Sequence, residues 1–224
     1  MTISIAGYCP DTGQLGIAIS SSSIAVGSRC PWLLASVGAV SSQNITLPAL
    51  GQQTLEQLAE GLNVKEALEA ALATDQFSDY RQVTVIDAKG ESACFSGAKT
   101  LGIHNMVQGN NCVVAGNMLS QQSVIDAMVS NFESTSSELT ERLIAALEAG
   151  VQAGGEAGPV HSAAVKIVGD CSWPIVDLRV DWADENPIQE LSKLWENYQP
   201  QMQDYITRAL DPREAPSYGV PGNE

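Results

Sequence analysis

The stretch Thr2-Ile-Ser-Ile-Ala-Gly, Cys9-Pro-Asp-Thr-Gly13 and Gln14-Leu-Gly-Ile-Ala-Ile-Ser20 decides how this chain folds. Both flanks alternate aliphatic with small or polar residues, and Pro-Asp-Thr-Gly is turn chemistry, so the stretch predicts a β-hairpin. Val37 to Val40 supplies a third apolar run. The first residue of the hairpin gives it chemical interest. If Met1 is removed, the free amine of Thr2 can serve as base for its own hydroxyl.

Composition narrows the partners. The 224 residues carry 26 acidic and 11 basic side chains, a net charge of -15. Phosphate recognition needs a basic footprint, so nucleic acid and anionic membrane surfaces are disfavoured as partners. No apolar run has the length of a membrane-spanning helix, and no basic segment precedes an apolar core at the N-terminus. A cytoplasmic protein is expected. Cys9, Cys30, Cys94, Cys112 and Cys171 are widely spaced and form no Cys-x-x-Cys pair, which suits neither a disulfide framework nor a zinc site. His104 and His161 are too few for a multi-histidine metal site. No metal and no cofactor are expected, and the expected partner is a small-molecule substrate.

Beyond the hairpin, Ser41 to Gly51 reads as a polar loop. A helix carries Leu55, Leu58 and Leu62 at helical spacing. The next begins at Asn63, with Glu66 three positions on as a capping box, and buries Val64, Leu68 and Leu72. Gln82–Asp87, Ser92–Ser96, Gly102–Val107 and Cys112–Ala115 read as strands. A second helical pair carries Val124, Met128 and Phe132, then Leu139, Leu143 and Leu147, with Thr135 and Glu138 as its cap. Strands Ser162–Val168 and Trp173–Trp182 follow, then a helix from Pro187 toward Leu210. Strands in blocks rather than one per helix disfavour a doubly wound parallel fold. The expected class is α+β: a four-layered αββα sandwich of two mainly antiparallel sheets flanked by helix pairs. Residues 1–186 would form it, and residues 187–224 a C-terminal helix and extended tail packing on the domain or on a partner subunit.

Several segments carry a family likeness. Ser4-Ile-Ala-Gly, Leu15-Gly-Ile-Ala-Ile-Ser-Ser-Ser-Ser23, Val37-Gly-Ala-Val and Gln43-Asn44 resemble the family catalogued as domain of unknown function 1028. So do Ala115-Gly-Asn-Met-Leu119, Gly154-Gly-Glu-Ala-Gly-Pro-Val-His-Ser162, Trp173-Pro-Ile-Val-Asp-Leu-Arg179 and Ala215-Pro-Ser-Tyr-Gly-Val-Pro-Gly222. That family resembles a branch of the N-terminal nucleophile (Ntn) hydrolases. The resemblance implies the αββα sandwich and a catalytic N-terminal residue, but no substrate.

The candidate catalytic residues are Thr2, Ser21, Asn44, Asn117 and His161. One or two hydroxyls of Ser20–Ser23 would lie across the hairpin from Thr2, where they can steer the amine or the oxyanion. Either Asn44 or Asn117 could donate to a developing oxyanion. His161 follows a glycine-rich loop, and histidine is the side chain most often used as an acid or base near neutral pH. Glu156, Asp177 and Arg179 are candidate substrate-binding residues. Period two puts Asp177 and Arg179 on one strand face, expected to enclose them in a polar space where Arg179→Leu costs several kcal/mol. Cys30 reads as a buried apolar residue, with a thiolate paired to His161 as the alternative.

Two activities are compatible with this sequence. One is hydrolysis of amide-like C–N bonds by acyl transfer to Thr2. The other is a non-catalytic small-molecule binding or assembly protein on an Ntn-like scaffold. The apolar stripe of the last helix, with Tyr218 and Val220 as possible anchors in the tail, predicts a homo-oligomer, most simply a dimer.

Overall fold

The hairpin forms as its alternation dictates. Residues 1–219 are described by a computed structural model, and Val220 lies outside them. Strand β1 (Thr2–Tyr8) pairs antiparallel with β2 (Leu15–Ser21), Thr2 opposite Ser21 and Tyr8 opposite Leu15. Gly13 takes the positive φ of 69° that the turn between them requires. The other strands are β3 (Pro31–Leu34), β4 (Gly38–Asn44), β5 (Arg81–Asp87), β6 (Ser92–Ser96), β7 (Ile103–Gly109), β8 (Cys112–Leu119), β9 (Ser162–Val168) and β10 (Val176–Val180). The helices are α1 (Ala49–Ala59), α2 (Val64–Ala73), α3 (Ser123–Ser134), α4 (Leu139–Gln152) and α5 (Pro187–Leu210).

The strands make two antiparallel sheets, ordered β10-β9-β2-β1-β8-β7 and β3-β4-β5-β6. Three apolar clusters show how they stack. Ile3, Ile5, Val114 and Ile167 point from one face of the six-stranded sheet into α3, α4 and α5. Ala6, Ile17, Ile19, Val113 and Ala164, from its other face, meet Ala39 and Ile86 of the four-stranded sheet. Val40, Val83 and Val85, on the far side of that sheet, pack under Leu50 and Leu55 of α1 and Leu68 of α2. Both sheets are thus covered on both faces, the inner cluster lying between them. Helix α5 buries Ile188, Leu191 and Trp195 against the body, and its end holds the tail. There the Arg208 guanidinium donates to the Pro216 carbonyl and lies 3.8 Å from the centre of the Tyr218 ring.

Some local expectations change. Strand β4 runs on through Ser41–Asn44, so the expected loop is sheet as far as Asn44; its polar side chains find partners inside the protein. Helix α1 therefore starts earlier, at Ala49, and closes before Leu62 with Gly61 at a positive φ of 99°. The expected strand Trp173–Trp182 is ordered as β-ladder only over Val176–Val180. Thr135 does not cap α4; its hydroxyl donates to the Asn131 carbonyl and closes α3, while Glu138 takes the N-cap without a side-chain bond. The Asn63–Glu66 capping box of α2 is present, both reciprocal bonds made.

Candidate functional site

Strand register gathers the site. Thr2 pairs with Ser21 on β2 and with Asn117 on β8, and Ser21 pairs in turn with Ser162 on β9. Four polar side chains therefore form one row across the end of the six-stranded sheet. Ile3 points to the helices, so Thr2, one residue earlier, points between the sheets. All four are buried: Thr2 is 5% exposed, Asn117 1%, and Ser21 and Ser162 not at all.

Buried hydroxyls need partners, and here they find one another and the Met1 carbonyl. The Thr2 hydroxyl donates to the Met1 carbonyl at 2.6 Å, and the Ser21 hydroxyl donates to the same oxygen. The two hydroxyl oxygens are 3.3 Å apart, and Ser23 Oγ lies 2.9 Å from Ser21 Oγ. Ser162 donates to the Ser23 carbonyl and accepts from the Val26 N–H, fixing the chain after β2.

A second polar network between the sheets holds the row from beneath. Ser4 donates to Gln43 Oε1 at 2.6 Å, Gln43 donates to Gln82 Oε1 at 2.8 Å, and Asn117 donates to the same Gln82 oxygen at 3.1 Å. Gln82 donates in turn to Ser96 Oγ and to the Gly116 carbonyl. Gln43 and Gln82 were absent from the sequence-derived candidates. Alternation was their signal: Gln82 and Thr84 interleave with Val83 and Val85 on a strand whose two faces are both covered.

Glu156 joins the site through the loop after α4. It bridges to Leu119, two residues beyond Asn117 on β8. It is 7% exposed, and no side chain among the described residues donates a hydrogen bond to its carboxylate. Burial raises its pKa to about 8, and the nearby N-terminal ammonium and the Ser22 N–H offset only part of that.

The remaining candidates lie elsewhere or are otherwise engaged. His161 is beside Ser21 by its backbone, its N–H donating to the Ser21 carbonyl. Its ring turns away, with Nδ1 2.9 Å from the Ala183 carbonyl and its face stacked on Trp182 at 4.4 Å. The Asn44 amide donates to the Tyr80 carbonyl and accepts from the Leu101 N–H, tying loops of the four-stranded sheet together. Arg179 shares its row with Ser4 and stands three strands from β1, about 14 Å across the sheet. Asp177 and Arg179 are not enclosed: β10 is an edge strand, and their side chains are 32% and 35% exposed. Arg179 grips Asp177 with two bonds of 2.8 Å, and Lys166 lies 3.2 Å from the same carboxylate. Burial pushes the Asp177 carboxyl up, but Arg179 and Lys166 outweigh it and hold the pKa below its ordinary value. Cys30 is a packed core residue whose thiol is pushed up to about 11 by burial, which favours the neutral thiol near neutral pH. Among the described residues, no His, Cys, Asp and Glu cluster is placed to hold a metal ion.

The arrangement defines an α+β protein with two antiparallel sheets and a buried hydroxyl row at the head of an interior strand. The chain belongs to the family of unknown function DUF1028, whose family model matches residues 2–191. A crystal structure from Silicibacter pomeroyi, also matching DUF1028, is similar at 30% identity, covering 91% of this chain and 89% of that one, with a TM-score of 0.85. Anbu, the ancestral beta-subunit from Yersinia bercovieri, is similar at 9% identity over 97% of this chain and 100% of its own, with a TM-score of 0.43. Anbu from Hyphomicrobium sp. strain MC1 gives 12% identity, coverages of 92% and 98%, and a TM-score of 0.40. Those two scores are too low to bear on the reaction. Comparison with curated proteins gave no match. No helix among the described residues is long and apolar enough to cross a membrane.

Proposed function

We propose that the protein is an Ntn-type hydrolase of amide-like C–N bonds in a small molecule, with Thr2 as nucleophile once Met1 is removed. The observation that carries this reading is the buried Thr2 hydroxyl at the head of β1, 3.3 Å from Ser21 and in register with Asn117. The freed amine takes the hydroxyl proton as Thr2 Oγ1 attacks the substrate carbonyl carbon. The C–N bond then breaks, the proton passes to the leaving amine, and water hydrolyses the Thr2 ester to the free acid. Ser21, whose hydroxyl already donates to the Met1 carbonyl, supplies the donor for the developing oxyanion. Asn117 is a positioning residue held by Gln82.

The test is acylation by a β-lactone of protein beginning at Thr2, mapped by mass spectrometry. A single adduct on Thr2, lost in Thr2→Ala with the fold intact by circular dichroism, is expected. An adduct that persists in Thr2→Ala overturns the assignment.

A second reading has its own observation. With Met1 in place, the Thr2 nitrogen is an amide without a basic lone pair, and the same carbonyl fills the site. In that form the scaffold binds or assembles and does not hydrolyse. Either form is proposed to be a cytoplasmic homo-oligomer, most simply a dimer, supported by the exposed Leu194, Tyr205 and Leu210 along α5. Light scattering at high micromolar concentration checks this, and a monomer there contradicts it.

A further inference from the structure

Resting on that reading, we propose that the place Met1 occupies is the acyl pocket, and that it selects α-aminoacyl amides, whose ammonium stands next to the carbonyl. Three features at Met1 define the pocket. Its carbonyl oxygen accepts from the Thr2 and Ser21 hydroxyls. Its side chain lies so close to Gly158 that a Cβ there would come within 2.8 Å of Met1 Cε. Beyond its backbone nitrogen stands Glu156, a buried carboxyl to which no described side chain donates a hydrogen bond and on which the Met1 ammonium acts electrostatically.

Register places Glu156 there. Thr2 pairs with Asn117, so the place two residues upstream on the line of β1 would pair with Leu119. The other side of Leu119 is taken by Ile103 of β7, and Glu156 bridges to Leu119. Glu156 therefore stands on the line of β1 just beyond Met1.

The chemistry connects this arrangement to the acyl-enzyme. The Met1–Thr2 peptide is the amide isomer of a methionyl ester on Thr2 Oγ1, since nitrogen and oxygen are separated by only two carbons of the same residue. An acyl group on either atom occupies nearly the same space. When Met1 leaves, its ammonium leaves with it; the new Thr2 amine lies one residue further from Glu156 along β1 and acts as an uncharged base, so Glu156 faces a vacated pocket. Burial disfavours the charged form of Glu156; an incoming ammonium stabilises the carboxylate, whereas an N-acylated analogue cannot. A cavity of about 340 Å³ bounded by Gly154, Gly158, Val160 and Asn186 adjoins Glu156 and leaves room beyond the ammonium, with Asp184 and Glu185 adding negative charge at its rim.

The experiment uses the Thr2→Ala chain beginning at residue 2, released from a ubiquitin fusion and verified by intact mass, so that nothing turns over. Calorimetric titration compares L-methioninamide with N-acetyl-L-methioninamide. The free amine is expected to bind roughly 10- to 100-fold more tightly. Glu156→Gln, which keeps shape and removes charge, is expected to erase that difference. Equal binding of the two probes, no binding of either, or a preference that survives Glu156→Gln overturns the inference. β-lactone labelling at Thr2 with no ammonium preference overturns this inference alone, whereas failure of that labelling removes the nucleophile as well.

Discussion

Two polar groups on the same face of the same sheet behave very differently. The row Asn117–Thr2–Ser21–Ser162 contains no charge, is almost wholly buried and sits over a network of amides. The cluster Lys166–Asp177–Arg179 is all charge, well paired and open at the sheet edge. Charge is the louder signal in a sequence, yet the enclosed hydroxyls have the properties of a site. An exposed ion pair keeps its water and adds little, while a buried polar group constrains everything around it.

The sharpest way to break this contrast is Gln82→Leu. It removes the acceptor of Gln43 and Asn117 and the donor to Ser96 and Gly116, all inside the protein. The two buried amide donors left without an acceptor, on Gln43 and Asn117, cost about 1–3 kcal/mol each, so a loss of roughly 2–6 kcal/mol is expected in urea unfolding. Glu156→Gln comes next, with the opposite sign. Because burial raises the folded pKa to about 8 from 4.5, the wild-type contribution is full below pH 4.5 and lost as pH rises toward 8. The variant is thus expected to gain on the order of 2–4 kcal/mol over wild type above pH 8 and nothing below pH 4.5. Thermal melts across that range check both ends. Arg179→Leu is the smallest: a third-exposed pair is worth less than about 1 kcal/mol, not the several expected of an enclosed one. A loss above about 2 kcal/mol would show the pair to be as tightly held as the buried row.

Much of the frame could be read from residues. Alternation gave the hairpin, Asn63 and Glu66 the start of α2, and helical spacing the span of α5 from Pro187 to Leu210. Polar strands were harder. Ser41-Ser-Gln-Asn44 looks like a loop because its side chains match solvent chemistry, yet β4 places them between covering layers where partners from β1 and β5 satisfy them. No local pattern announces such partners, since they lie dozens of residues away. The same holds for the site. Thr2 and Ser21 were found because a two-strand hairpin fixes which residues face each other. Asn44 was included as an amide where a loop leaves a strand, and Arg179 by its place on a strand face; register sets Arg179 three strands from β1, and the Asn44 amide is engaged by the Tyr80 carbonyl. His161 was placed correctly by loop and strand, but its ring orientation depends on Trp182 and Ala183, across a separate segment.

The central claim is that a freed Thr2 amine activates the Thr2 hydroxyl inside this buried row. One comparison tests it directly: the rate of β-lactone acylation at Thr2 in protein beginning at Thr2, against protein shown by intact mass to retain Met1. The account predicts labelling of the first form and essentially none of the second, because the retained residue removes the base and fills the pocket. Equal labelling of both forms would contradict it.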